Sequence, residues 1–405
     1  MGTERGRLPT RRGFLYGAAA AVGAACGVGR LSASVASGPG AGQGPPARPP
    51  LQWDSEALVS PGMKAPLQIS DGDVLSWRSE PLQTGGREVS CYRSRNAGRN
   101  WAYLAEIARE DDPAADLGDG HFLELADGTL MFSYRRNRYA GLPADRCLYR
   151  IEVACSRDQG ATWSPHSTVA ESRTGGQGLW SSFLFERPDG ALQCYYDDED
   201  TPARAGLPRH QWITMRTWDA REGTWARPVT VSCAHNAQEL SRDGMCSVLP
   251  TAGGGLLCVF ESVRTAPPHG GVLRSVTSFD GGSTWSWRSE ERRIVYQTAD
   301  PAFNALAPWM VRLPKDRLIV VFTTDEDRTV AGVPAEGVLD QSVKCVTSCD
   351  GGRSWSEEAA LIDGRSPLYF PGACPLRRHA DSAVVLVQYL HRHRGPFTRR
   401  GRLAR

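Results

Sequence analysis

The octamer SFDGGSTW, Ser278 to Trp285, constrains this chain more than any other stretch because it recurs. SRDQGATW (Ser156–Trp163) and SCDGGRSW (Ser348–Trp355) share the pattern Ser-x-Asp-x-Gly-x-Thr/Ser-Trp. SRNAGRNW (Ser94–Trp101) repeats it with Asn96 in the Asp place. RTWDAREGTW (Arg216–Trp225) is a looser copy that keeps Asp219, Gly223 and Trp225. Copies spaced by roughly 60 to 70 residues are a repeat signal, and a repeat governs the whole fold. The clear copies each follow a short alternating or apolar run: EVSCYR, IEVACS, VLRSVTS and SVKCVTS. Such a run reads as a strand that ends in a turn. Asp and Ser side chains bond to backbone N–H groups across the turn, and Gly supplies the backbone shape. The Trp then packs over the turn into the core. The octamers are therefore expected to stabilise the fold rather than to bind ligand.

Around these turns the chain divides into six similar units of four short strands. In the second unit, HFLEL, the turn ADG, TLMFSYR and CLYRIEVACS lead into the octamer, and an outer strand follows Trp163. The third reads SSFLFE, RPDG, ALQCYYD, QWITMRT; the fourth CSVLP, TAGG, GLLCVFES, VLRSVTS; the fifth WMVRLP, KD, RLIVVFTT, SVKCVTS. The first (MKAPLQI, SDGD, VLSWRS, EVSCYRS) is less regular, and the sixth shows two strands, ACPLRR and SAVVLVQYLH. One small sheet cannot bury its own faces, whereas six in a ring can. The expectation is an all-β chain, a six-bladed β-propeller of four-stranded antiparallel blades. A strand from Leu51–Val59 is expected to close the last blade.

The start of the chain is of a different kind. In TRRGFLYGAAAAVGAACGVG, Arg11 and Arg12 precede a short apolar run. Residues 1–29 thus read as a twin-arginine-type signal peptide for bacterial export, with a run too short for a membrane span. Residues 30–50 are a Gly/Pro/Ser/Ala linker, 51–395 the propeller, and 396–405 a solvated basic tail. A formal net charge of +2 gives no reason to expect nucleic acid. The ten cysteines beyond Cys26 show no CxxC. Most sit in strand-like runs and are read as buried thiols with one or two bridges at most, and no metal or cofactor is expected. A monomer is expected.

The topology sorts the loops. Octamers and Asp/Gly turns share one face of the ring. The other face carries residues before strand one and after strand two. Carboxylates and aromatic rings accumulate there, the composition of a glycosidase cleft, where a protonated and an ionised carboxyl flank the scissile bond. Glu261 ends the apolar strand GLLCVFE and is the first catalytic candidate. Its competing reading is a pairing with Arg264 or Arg242 that knits the ring. Asp198, within Asp197–Asp200, is a candidate acid/base or a solvated or calcium-binding loop acid. Asp119 is a third candidate carboxylate, or a loop cap. Arg135, Arg264, Arg242, Tyr196, Trp180 and Tyr389 are the expected substrate-binding residues.

The octamers resemble the Asp-box, or BNR, repeat of the sialidase superfamily, which implies exo-acting glycoside hydrolysis on a six-bladed propeller. No Arg-Ile-Pro segment of a sialidase proper occurs. ALQCYYDDED, RDGMCSVLPTAGGGLLCVFE and SVKCVTSCDGGRSW look similar to glycoside hydrolase family 93, the exo-α-1,5-L-arabinanases. That resemblance implies a catalytic role for Glu261. Where the family has Trp-Glu-Pro this chain has Trp180-Ser181-Ser182, so a second carboxylate would come from Asp198 or Asp119. The expectation is an exported exo-acting glycoside hydrolase on arabinan-type polysaccharide. The alternatives are an exo-α-sialidase and a non-catalytic carbohydrate-binding propeller.

Overall fold

Six antiparallel sheets of four main strands each make up the molecule, here a computed structural model that describes residues 51–54, 57–199, 210–233, 241–264, 270–288, 291–327, 340–366, 368–377 and 384–403. The first blade is Leu67–Gln68, Val74–Pro81, Arg87–Ser94 and Ala102–Glu110, and the second Ala115–Glu124, Leu130–Arg138, Tyr149–Ser156 and Ser164–Ser172. The third is Leu179–Glu186, Leu192–Asp198, Trp212–Asp219 and Val229–Ser232, with the short Thr224–Trp225 hairpin. The fourth runs Ser241–Pro250, Leu256–Arg264, Gly271–Ser278 and Arg293–Tyr296; the fifth Ala305–Leu313, Arg317–Thr324, Gln341–Ser348 and Ala359–Ser366. The sixth holds Leu368–Leu376, Val384–His391, Gly395–Leu403 and, from the start of the described chain, Leu51–Trp53. The first strands of successive blades pack against one another and so surround the axis.

Second strands are buried on both faces by the flanking blades. Leu192–Asp198 is buried throughout, and Ile319 to Phe322 are fully buried. This is why they read as unbroken apolar runs rather than alternating ones. Between the first two blades the core is aromatic, with Trp77, Phe122, Tyr134 and Trp163 ringing Phe132.

The octamers form the turns after the third strands. Ser278 Oγ donates to Asp280 Oδ1 and accepts from Gly282 N, both at 2.8 Å. Thr284 donates to Asp280 through its N–H (2.9 Å) and hydroxyl (2.6 Å), and Trp285 Nε1 donates to Gly282 O at 3.1 Å. Asp158 and Asp350 repeat this bonding, and Asn96 accepts from Asn100 N. Gly282, at φ +94°, takes a backbone shape that costs other residues energy. Asp280→Ala loses both turn-spanning bonds and is expected to lower stability by about 1–2 kcal/mol, read from the midpoint of urea unfolding.

The ring closes as the sequence implied, by pairing of Leu51 with Leu403 and Trp53 with Gly401. The expected basic tail is a different matter. Gly395–Leu403 is the third strand of the sixth blade, paired with Val384–His391 from Val384↔Arg402 to His391↔Gly395. Two of its arginines are held rather than solvated, while Arg402 is exposed. Arg400 pairs with Asp54 at 2.7 Å, and Arg399 donates to the carbonyls of Asp54 and Leu361. All ten described cysteines are free thiols, eight of them buried, so none of the allowed bridges is formed among the described residues. The signal-peptide and linker readings, residues 1–50, lie outside the described residues. No described helix is long and apolar enough to cross a membrane.

Candidate active site

The axial ends of the first strands share one backbone device. Register shifts interrupt Gly118/His121, Leu179/Ser182, Gly244/Ser247, Leu306/Trp309 and Tyr369/Gly372. Each is a bulge, the irregularity that re-aims groups at the rim of a sheet. Asp119, Met245, Ala307 and Phe370 occupy it with φ of 48–51°, and Lys64 (φ 56°) and Ala65 (φ 54°) take the same conformation ahead of the first blade. Left-handed backbone at non-glycine residues costs about 1–3 kcal/mol each and clusters at functional sites. In two places the bulge N–H is taken up by a carboxylate from the preceding blade. Met245 N donates to both oxygens of Asp197, at 3.0 and 3.2 Å. Ala307 N donates to Glu261 Oε2 at 2.6 Å.

Asp197 and Glu261 thus stand on adjacent second strands in equivalent settings. Asp197 is 3% exposed, whereas Glu261 keeps a solvent-facing edge. Burial, the largest cause, pushes Asp197 up to about 8, against the Met245 N–H and Lys64; Glu261 adds to the rise. Burial also raises Glu261, opposed by the Ala307 N–H, Lys64 and Arg242. With its carboxyl pushed up to about 8, Asp197 keeps its proton at neutral pH.

Cations complete the site. Lys64 is 5% exposed. Its backbone lies against Gly372 of the sixth blade, where a Cβ would sit 2.5 Å from Lys64 Cα. Its Nζ reaches the far side of the ring, 3.2 Å from Ser181 Oγ and 3.7 Å from Asp119 Oδ1. Arg135 pairs with Asp119 and, at 2.9 Å, with Asp116. It also lies over the Trp180 ring at 5.6 Å. Arg242 bridges Glu199 and Gln211, each at 2.5 Å.

Of the residues expected from sequence, Glu261, Asp119, Arg135, Arg242 and Trp180 gather here. Asp198 does not. Strand alternation turns it to the opposite face of its sheet from Asp197, where it is buried and accepts from Thr214 Oγ1 at 3.3 Å. Tyr196 lies on that same face, buried between the second and third blades, and accepts from Arg216 Nε at 3.2 Å. Tyr389 is buried against Phe397. Arg264 is exposed at the end of its strand, away from the Glu261 pairing that sequence allowed. Asp197 stood within the acidic run without being singled out, and Lys64 was not singled out at all.

Gly244 is required where it stands. A Cβ there would meet Gln211 Nε2 at 2.3 Å and Asp197 Oδ2 at 2.6 Å, and neither side chain is free to swing away. Gly244→Ala is expected to cost about 1–3 kcal/mol in overpacking. Urea unfolding measures the loss.

No family model and no curated protein sequence matches the chain. Solved structures do. The GH93 α-L-arabinofuranosidase of Fusarium graminearum with arabinobiose has 16% identity over 87% of this chain and 98% of its own, with a TM-score of 0.58. The Penicillium chrysogenum α-L-arabinanase with arabinobiose also has 16% identity, over 87% and 96%, with a TM-score of 0.58. A Hadza microbial sialidase has 16% identity over 84% of this chain and 65% of its own, at 0.57. At such identities the likeness is one of fold: the chain is a six-bladed propeller, similar in architecture to these enzymes.

Proposed function

We propose that this protein is an exported exo-acting glycoside hydrolase that cleaves arabinan-type oligo- or polysaccharide with the carboxyl pair Asp197 and Glu261. The observation that carries the reading is the matched setting of the two groups, each held by the bulge N–H of the next blade and both raised by burial. Glycoside hydrolysis needs one carboxyl to protonate the leaving oxygen and one carboxylate opposite it. The shorter N–H bond to Glu261 favours charge there, which leaves the proton on Asp197. Asp197 is then the acid and Glu261 the nucleophile or base. Trp180 lies beside the site, packed against Tyr139 and Tyr149 with Arg135 over its ring. The arabinan preference draws on the sequence resemblance and on the arabinobiose-bound structures of the same fold.

The sialidase alternative needs arginines available to a substrate carboxylate, whereas Arg135 and Arg242 are engaged by the chain's own acids. The binding-module alternative is favoured by one observation, the serine at 181 with Lys64 against it. Hydrolysis by the purified chain of linear α-1,5-arabinan, an aryl arabinofuranoside, a sialyl substrate and a galactoside decides among the three. Arabinose-containing products support the reading. Binding without turnover of any member contradicts it. Loss of the proton from Asp197 is expected to produce an alkaline limb near pH 8 in kcat/KM.

A further inference from the structure

Lys64 and Ser181 have no place in the two-carboxyl mechanism, yet the fold brings them together from opposite sides of the ring. Lys64 is held in a left-handed backbone (φ 56°), close against Gly372 of the sixth blade. Among the described residues its side chain makes one hydrogen bond, with Ser181 Oγ at 3.2 Å. Asp119 Oδ1, at 3.7 Å, lies beyond hydrogen-bond reach, and Arg135 holds the other oxygen of that carboxylate. Ser181 owes its place to the bulge of the third blade. Leu179 pairs with Asp198 and Ser182 with Tyr196, so Trp180 and Ser181 together stand against Asp197. A bulge at the rim of a sheet re-aims a side chain. Here it sets a hydroxyl of a residue 4% exposed against the amine of one 5% exposed. A serine and a lysine so placed have the parts of a nucleophile and its base, with the neutral amine taking the hydroxyl proton. Burial, the largest cause, brings Lys64 down to about 8, with Arg135 acting in the same direction and Asp197, Glu261 and Cys246 against it. A buried lysine in that range can serve as a general base.

We propose that Ser181 and Lys64 form a serine–lysine dyad for acyl transfer, which removes short acyl groups esterified to sugar hydroxyls. With Lys64 neutral, Ser181 Oγ attacks the acyl carbonyl carbon and its proton passes to Lys64 Nζ. The bond from that carbon to the sugar oxygen breaks, and the leaving oxygen takes the proton from Lys64. Water then attacks the acyl-serine and gives one proton to Lys64, which returns it to Ser181 Oγ as the carboxylic acid departs. Ester and water become acid and alcohol, and no other reactant is needed. Arg135, which Asp119 and the Trp180 ring hold beside the dyad, supplies positive charge for the oxyanion. The burial of Ser181 sets the size of the acyl group, so acetyl is the expected one. The sugar half of the substrate rests on the proposed hydrolase, because the dyad stands in the same axial site. The acyl chemistry does not rest on it.

Methanesulfonyl fluoride, a small serine-directed reagent, tests the nucleophile in the full chain. The sulfonyl group is expected to pass to Ser181 Oγ with loss of HF, giving one adduct that peptide mass mapping places at Ser181. Acetate release from 4-nitrophenyl acetate and from an O-acetylated methyl arabinofuranoside is expected to fall by about 10²-fold or more in Ser181→Ala. Lys64→Met and Lys64→Arg are expected to slow both labelling and acetate release by a similar factor. Arginine keeps the positive charge but cannot be deprotonated, so it would serve a structural cation and fail as a base. Where neither lysine variant folds, the adduct and Ser181→Ala still decide. Absence of an adduct at Ser181, acetate release equal in wild type and Ser181→Ala, or wild-type labelling in folded Lys64→Arg overturns the proposal. Turnover of an arabinofuranoside beside an inert Ser181 would sink the dyad and leave the glycoside reading standing. Ester cleavage through Ser181 in a chain that hydrolyses no glycoside would sustain the dyad and sink that reading.

Discussion

Glu261→Gln is expected to lower glycoside hydrolysis by about 10²- to 10⁴-fold, the usual contribution of a positioned acid or base, while leaving the fold intact. The amide has nearly the shape of the carboxyl. Its carbonyl oxygen can still accept from Ala307 N, so the inter-blade bond at 2.6 Å is retained in neutral form. What is lost is the negative charge and the ability to carry a proton. Because Lys64 and Arg242 both act on Glu261, the variant leaves them with less compensation, and a modest loss of stability should accompany the loss of rate. Circular dichroism and urea unfolding beside turnover separate the two effects. A rate that stays within a few-fold of wild type would remove Glu261 from the chemistry.

Asp243→Ala is expected to have the largest effect on stability, about 3–5 kcal/mol, the range for stripping one partner from a buried ion pair. Asp243 is fully buried one residue from Gly244. Both of its oxygens accept from Arg292 Nη2 at 2.7 Å, and the hydroxyls of Ser232 and Ser241 supply two further bonds at 2.7 and 2.8 Å. Ser262 joins the same guanidinium at 3.0 Å. The cluster ties the first strand of the fourth blade to the segment before its last strand. Removal of the carboxylate leaves Arg292 charged and buried, whereas the double replacement Asp243→Leu with Arg292→Leu removes both charges and should cost much less. Urea midpoints of the single and double variants test this, and equal costs would contradict it. The complete burial and filled bonding of Asp243 make it structural.

The blades were legible because their signals are local and repeated. The turn octamers recur with the same Ser, Asp, Gly and Trp roles, and each second strand is a short apolar run fixed by burial on both sides. Closure by Leu51–Trp53 followed from a ring that would otherwise have an open edge. The strand Gly395–Leu403 was hidden by its composition. Five arginines between 392 and 402 suggest solvent until Asp54 and the backbone carbonyls that receive two of them are seen. In the site, Glu261 was legible from the strand that ends on it. The choice between Asp197 and Asp198 was not, because it depends on a one-residue phase that period-two alternation leaves open in an acidic run. The bulges add to the difficulty, since they shift register where the first strands meet the axis. Lys64 sits in MKAP, in the least regular unit, and no motif draws attention to it. Comparison of the units position by position would have placed it with Asp119, Met245 and Phe370, which share its backbone conformation.

The most direct measurement of the central claim compares hydrolysis of an aryl arabinofuranoside by Asp197→Asn and Asp198→Asn, each checked for fold by circular dichroism. The two residues are adjacent, both acidic and both buried, and they differ in which side of the sheet they face. The account predicts a loss of about 10²- to 10⁴-fold for Asp197→Asn and a much smaller change for Asp198→Asn. Loss confined to Asp198→Asn, or full activity in Asp197→Asn, would contradict the assignment of the axial carboxyl pair.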